Sequence, residues 1–256
     1  MRFYVVTTMN KAGWQETGRR MAESFIEKWT LDAWPLTIYA EDFEPDVPGV
    51  EARKLPAWLA DFKSAHRQNP ERIGFPHRVY DYRFDAVKFA HKVAALTDFA
   101  EDFTDGVVIW LDADTFTHED VTTEWLEGLF PAHAYIAWLD RLNSHPECGF
   151  VMFRCSHPYH RNFMQSFRNL YTGGDLFRLR ETHDSFALQH LVGVKLRAGK
   201  IPAPVSLSGD PGWHHPFVSG PLGAKLDHMK GPRKQEGRSR QRDLRKPRQE
   251  PYWNGR

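Results

Sequence analysis

The apolar positions switch repeatedly between continuous runs and helical spacing, and that alternation predicts an α/β domain. Residues 1–8 (MRFYVVTT) form a short β-rich run, followed by the turn formers Asn10 and Gly13. Met21, Ala22, Phe25, Ile26 and Trp29 then recur at offsets of three and four, which places a helix over residues 17–29. Residues 36–40 (LTIYA) read as a second strand, and the acid- and proline-containing stretch 41–50 as loop. Many nucleotide-binding α/β folds begin with such a strand–helix–strand unit.

Residues 51–77 are mixed and suit a lid or an insertion. Phe84, Val87, Lys88, His91 and Ala95 follow helical offsets and predict a helix over 82–98. Residues 106–111 (GVVIWL) lack polar alternation, as a strand buried on both faces does. The pattern continues with a helix over 119–130, strands over 134–139 and 149–153, and helices over 158–170 and 184–194. Residues 202–223, rich in Gly, Pro and Ser, read as ordered loop. From Lys230 onward the apolar content collapses, so flexibility is expected there unless a partner orders it. The expected organisation is one domain over 1–229 and a basic tail over 230–256, without internal repeats.

Composition narrows the class. With 256 residues, 41% of them hydrophobic, the chain can bury a sizeable core. Two cysteines, Cys148 and Cys155, make no disulfide framework, and an extended segment between them would hold them too far apart for an easy bridge. No targeting pattern opens the sequence and no apolar run reaches membrane-spanning length, so a soluble, cytoplasmic protein is expected. The net charge of +1 hides an asymmetry: residues 230–256 hold ten Lys or Arg against three acids, about +7, which leaves about −6 for the rest. Nucleic acid, an anionic membrane surface or the protein's own acidic face are candidate partners for such a tail.

The sharpest chemical signal is residues 107–115 (VVIWLDADT). A buried strand runs into Asp112 and Asp114, and ligands of open α/β sheets bind outside the carboxyl ends of strands. Two carboxylates there suit a hard divalent cation, Mn²⁺ or Mg²⁺, able to hold a diphosphate. The bland alternative is a turn or helix cap. The DADT sequence also fits the nucleophile loop of haloacid-dehalogenase-type phosphatases, although that loop normally follows the first strand and here about a hundred residues precede it. A non-catalytic nucleic-acid- or glycan-binding protein is the third reading.

With these residues in view, the chain resembles the GT-A glycosyltransferases, in particular the retaining glycogenin and lipopolysaccharide galactosyltransferase type, in a phage or bacterial branch. The resemblance implies an α/β fold with a mixed central sheet flanked by helices, and a nucleotide-sugar donor, UDP-sugar favoured. It places Thr7, Thr8 and Asn10 in the nucleotide-contacting opening loop, and Arg83 and Lys88 on the donor-facing helix before the motif. Asp112 and Asp114 become metal ligands, with Asp112 also touching the donor, and His228 in the sequence LDHMKGPRK becomes the third ligand. Lys230 and Gly231 become diphosphate contacts. Glu147, in ECGF, and Asp184, in THDS, become the carboxylates at the sugar, where either stabilises an oxocarbenium-like centre or acts as general base.

Each assignment has a structural counterpart. Asp184 sits where a helix cap is expected, and Arg83 and Lys88 can pair with Asp81 and Asp85. His228 and Lys230 can be surface residues before the tail. Asp140 and Arg141 follow a strand and point towards the same sheet edge. Residues 118–120 (HED) read as the opening of the next helix, and the adjacent His214 and His215 as loop. The acceptor hydroxyl is expected on a modified DNA base or on a glycan, because arginines with Tyr252 and Trp253 also make the tail a candidate nucleic-acid contact.

Overall fold

The computed structural model describes residues 1–30, 35–213 and 215–254. Its strands are β1 (Phe3–Met9), β2 (Trp29–Thr30), β3 (Leu36–Ala40), β4 (Val50–Arg53), β5 (Val107–Leu111), β6 (Thr115–Thr117), β7 (Val121–Thr122), β8 (Ile136–Leu139), β9 (Glu147–Arg154), β10 (Val205–Ser206) and β11 (Leu226–His228). Seven of them build the central sheet in the order β10-β8-β9-β5-β1-β3-β4. β1 pairs parallel with β3 and β5, and β3 with β4, whereas β9 runs antiparallel to both β5 and β8. The expected mixed central sheet flanked by helices is therefore present.

Side-chain alternation explains why the sheet is covered on both faces. Tyr4, Val6, Val108 and Trp110 enter one apolar cluster, while Phe3, Val5, Val107, Ile109 and Leu111 enter the other. The first face carries α3 (Ala57–His66), α4 (Ala86–Glu101), α6 (His160–Thr172) and α7 (Asp184–Arg197); α1 (Lys11–Gly13), α2 (Arg19–Lys28) and α5 (Thr123–Leu129) complete the helices used below. Ala86, Ala90, Ala94, Ala95 and Ala100 make α4 slim on its buried side, and it packs against β1, α6 and α7.

Several boundaries shift for local reasons. The helix expected from residue 82 begins at Ala86, because Asp85 accepts from Lys88 N and caps it, after a separate 3₁₀ turn over Tyr82–Phe84. Residues 118–120 do not open α5; Thr122 caps that helix through Trp125 N, and the His118 ring stacks on Tyr252. His214 lies outside the described residues. Cys148 and Cys155 are both free and buried. No helix among the described residues is long and apolar enough to cross a membrane.

The expected flexibility of the tail is corrected. Residues 230–254 wrap back over the domain, and Trp253 is 1% exposed with its indole N–H donating to Gly223 O at 2.8 Å. Buried Asp227 gathers Ser239 N (2.7 Å), Ser239 Oγ (2.5 Å) and Tyr252 OH (2.8 Å). Several of the positive charges are matched by carboxylates: Arg233 pairs with Asp243, Arg240 with Glu236, Arg245 with Asp210 and Arg248 with Glu250. Low apolar content does not prevent packing here, because the few apolar side chains present, Leu244 and Trp253, are buried. Truncating Trp253 to Ala is expected to cost about 3–5 kcal/mol, the usual range for a buried Trp. Chemical denaturation checks this, and a midpoint unchanged from the parent would contradict the packed tail.

Candidate functional site

The carboxyl end of β5 delivers Asp112 to the point where the sheet changes direction. Its backbone N–H donates to Gly149 O on antiparallel β9 at 2.9 Å, which fixes the start of the Asp112–Thr115 turn. Asp112 Oδ1 accepts from Trp110 Nε1 at 2.6 Å and from Lys92 Nζ at 3.0 Å. Its other oxygen, Oδ2, lies 3.7 Å from His228 Nε2.

β11 brings His228 in from far along the chain by pairing antiparallel with β6, in the register His228↔Thr115. That puts His228 Nε2 3.0 Å from Asp114 Oδ1. Lys234, on the first helical turn of the tail, reaches Asp114 Oδ2 at 3.2 Å. Burial would raise the Asp114 carboxyl, but the His228 imidazole and the Lys234 ammonium outweigh it and hold that group well below the usual carboxylate range. For His228, burial works downward, and the carboxylates of Asp114, Glu147 and Asp112 carry its pKa above the ordinary value.

These three residues fit a hard divalent cation. Their ligand atoms lie within 4.8 Å of one another, two anionic oxygens and one imidazole nitrogen. A Cβ on Gly149 would come within 2.7 Å of His228 Cε1 and 3.4 Å of Asp112 Oδ2, so glycine keeps the cradle open. The buried Nδ1 of His228 makes no hydrogen bond and lies 3.8 Å from Glu147 Oε1. At that distance Glu147 places negative charge behind the ring without a direct hydrogen bond.

Glu147 opens β9 and is 4% exposed. Lys230 Nζ sits 3.0 and 3.2 Å from its two oxygens, and Arg141 Nη1 3.7 Å from Oε2. Burial pushes its carboxyl up, but Lys230, His228 and Arg141 bring it down to about 2. Asp184, at the first position of α7, lies 2.9 Å from Lys92 Nζ. Lys92 thus bridges Asp112 and Asp184 and also donates to Cys148 O at 2.5 Å. Burial would lower its pKa, yet the two carboxylates raise it well above that of an ordinary lysine.

The structure brings Asp112, Asp114, Glu147, Asp184, His228 and Lys230 together. Gly231 takes a left-handed φ of 62° in the turn after β11, a conformation that favours glycine. Thr7 and Thr8 close β1 beside β5, where the register Val6↔Trp110 leaves them at the Asp112 end of the sheet. Thr8 Oγ1 donates to Tyr39 O, and the Asn10 side chain accepts from Gly13 N to cap α1. Arg83 pairs with Asp81, and Lys88 Nζ lies 5.9 Å from the Phe89 ring centre. The α4 cation that reaches the motif is Lys92, one turn beyond Lys88, which sequence reasoning missed although it lies four residues on along the same face. Asp140 O accepts from Ser208 Oγ, and Arg141 faces Glu147.

Buried histidines around this core give the protein a directional pH response. Burial lowers His160 and His215 to about 4, with nearby cationic and histidine rings adding to the effect. Their folded pKa lies below the ordinary value, so the unfolded chain takes up protons first as pH falls. Stability from this source is complete above about pH 6.5 and falls away towards pH 4, by about 3 kcal/mol for each ring in full. His228 runs the opposite way: its contribution is complete below the ordinary histidine pKa and is lost as pH rises through its raised folded value. Tm measured from pH 7.5 to 4.5 is expected to fall on the acid side, and a flat profile would contradict this assignment.

No family model matches the chain, and no curated protein matches it. Among solved structures, it is similar to mouse xyloside xylosyltransferase 1 at 11% identity and a TM-score of 0.47, over 81% of this chain and 86% of that one. It is similar to the glycosyltransferase GlyE of Streptococcus pneumoniae TIGR4 at 10% identity and a TM-score of 0.46, over 80% of this chain and 45% of that one. A glycosyltransferase involved in glycosylation of the major capsid of PBCV-1 overlaps at 11% identity and a TM-score of 0.48, over 93% of this chain and 97% of that one. All three scores lie below 0.5, so the functional reading is drawn from the site itself.

Proposed function

We propose that the chain is a metal-dependent glycosyltransferase of the GT-A type, moving a hexosyl or pentosyl group from a nucleotide-sugar donor to an acceptor hydroxyl. The observation that carries this reading is the convergence of Asp112, Asp114 and His228 at the carboxyl end of β5, within 4.8 Å of one another and flanked by Lys230 and Lys234. Two carboxylates and an imidazole would hold Mn²⁺ or Mg²⁺. When bound, the ion supplies Lewis-acid neutralisation of charge on the departing nucleoside diphosphate.

The chain's own residues supply the rest. The end of β1 at Thr8 and the cap residue Asn10 lie near the carboxyl end of β5 and suit the base and ribose, with a UDP-sugar the favoured donor; Thr7, expected there too, is fully buried within β1. Lys230 and Lys234 offset diphosphate charge from the tail side. Lys92 fixes Asp112 and Asp184 in one orientation. Glu147, with its pKa brought down to about 2, is a weak proton acceptor near neutrality. It suits electrostatic support of positive charge on the sugar. Asp184 is the second carboxylate on that side.

A glycan hydroxyl is the favoured acceptor over a DNA base. Arg233, Arg240, Arg245 and Arg248 face Asp243, Glu236, Asp210 and Glu250 rather than a free surface, and Trp253 is a core residue. The test is to incubate the protein with a panel of nucleotide-sugars and Mn²⁺, with glycan acceptors and with water alone as the surrogate acceptor, and to quantify released nucleoside diphosphate and inorganic phosphate. Metal-dependent release of diphosphate from one donor is expected. Release of inorganic phosphate alone from phosphate esters, with every nucleotide-sugar left intact, would favour the phosphatase instead.

A further inference from the structure

Asp184 has a second neighbourhood. Its Oδ2 faces Lys92, while its Oδ1 lies 3.9 Å from His183 Nδ1. Beyond His183 stand Glu181 and His145, and the ligand atoms of these three side chains lie within 4.8 Å of one another. His145 Nε2 is 3.0 Å and His183 Nε2 3.1 Å from the same oxygen, Glu181 Oε2. Ligands around a tetrahedral Zn²⁺, with bonds of about 2.0–2.1 Å, stand roughly 3.3 Å apart, so the spacing needs little adjustment.

The hydrogen-bond chemistry points the same way. His145 Nδ1 lies 2.9 Å from Gln189 Oε1, and with the amide in that orientation Nδ1 is the protonated nitrogen. In a neutral ring Nε2 then turns a lone pair towards a carboxylate oxygen, a contact that a bound cation converts from repulsion to coordination. An acceptor behind the second ring nitrogen is the normal support of a metal-bound histidine. Both ends of the cluster are also fixed from the backbone. Thr182 N donates to Arg83 O at 2.8 Å and sets the turn between Glu181 and His183, and Arg141 Nε donates to His145 O at 2.8 Å. Glu181 and His183 are buried and His145 borders solvent, which leaves an open side for a water as fourth ligand.

We propose that His145, Glu181 and His183 form a second metal site, separate from the Asp112 site, that takes Zn²⁺ and joins the 140–146 loop to the start of α7. Two imidazoles and one carboxylate suit a borderline transition ion, whereas the paired carboxylates at Asp112 and Asp114 suit Mn²⁺ or Mg²⁺. The loop leads directly into Glu147 and α7 begins with Asp184, so the site is a positioning clamp for both carboxylates. It stands whether or not the sugar-transfer reading holds.

The test uses the full chain carrying Asp112→Asn and Asp114→Asn, stripped with chelator and then dialysed against micromolar Zn²⁺. One zinc per chain by elemental analysis is expected, with a Tm rise of roughly 5 °C at saturating zinc. Co²⁺ in its place should give the visible absorption of a tetrahedral ion. Adding His145→Ala, at the solvent-bordering ligand, should weaken zinc binding at least tenfold while circular dichroism stays that of the folded chain. His183→Ala serves as a second variant. No bound zinc in the Asp112/Asp114 double variant, or zinc binding unchanged by both histidine substitutions, would overturn the proposal.

Discussion

Replacing Asp112 and Asp114 together by Asn is expected to reduce donor turnover at least about a thousandfold, because it removes both anionic ligands of the ion that steadies the leaving group. Asn preserves the shape of each side chain, and Trp110 Nε1 can still donate to the amide oxygen at position 112. The fold should therefore persist, with a lowered Tm because Lys92 and Lys234 lose anionic partners. What changes is the charge balance: Lys92, Lys234 and His228 would converge on neutral amides, and the cradle would repel a dication rather than attract it. Initial rates with the preferred nucleotide-sugar, alongside circular dichroism, check this. A double variant that retained a tenth of parental turnover would contradict the assignment of these carboxylates.

The second large effect is on Lys92. Its ammonium lies within 3.0 Å of Asp112 and 2.9 Å of Asp184, and its side chain is only 14% exposed. Lys92→Met keeps the length of the stem but leaves two carboxylates without the cation that compensates them. Breaking a buried pair by removing one partner costs about 3–5 kcal/mol. For a chain of this size that corresponds to a Tm fall of roughly 10 °C. Turnover should fall as well, since Asp112 loses one of the two donors that orient it. Thermal unfolding and initial rates measure both, and an unchanged Tm would show that Lys92 is not the cation the two carboxylates depend on.

Lys92 also shows where sequence reading reached its limit. Helical offsets predict the existence of α4 but not its buried face: of Phe84, Val87, Lys88, His91 and Ala95 only His91 and Ala95 are buried, and Lys88 is exposed. The spacing alone did not reveal that Asp85 caps the helix and that its fourth residue after Lys88 passes beneath the end of β5. By contrast, β5 was legible because an unbroken apolar run bounded by Gly106 and Asp112 leaves little alternative to a buried strand. His228 was placed near the motif through family resemblance, and the structure supplies the physical means, a three-residue antiparallel pairing with β6.

The tail differs from expectation for another reason. Low apolar content predicts flexibility, yet Arg233, Arg240 and Arg248 each find a carboxylate close by in sequence. Trp253, a candidate nucleic-acid contact from sequence, and Leu244 complete a core whose other buried members end at Leu226. The His145–Glu181–His183 group was invisible for the same reason: its members come from two segments that only the packing of β9 against α7 brings together.

The central claim is that the β5 site binds a nucleoside diphosphate through a divalent cation. Calorimetric titration of the chelator-stripped protein with UDP and the other nucleoside diphosphates, with and without Mn²⁺, tests it most directly. The account predicts saturable binding of one diphosphate, UDP first among them, that requires Mn²⁺ and disappears in the Asp112→Asn/Asp114→Asn variant. No binding of any nucleoside diphosphate, or binding indifferent to both Mn²⁺ and the two substitutions, would contradict it.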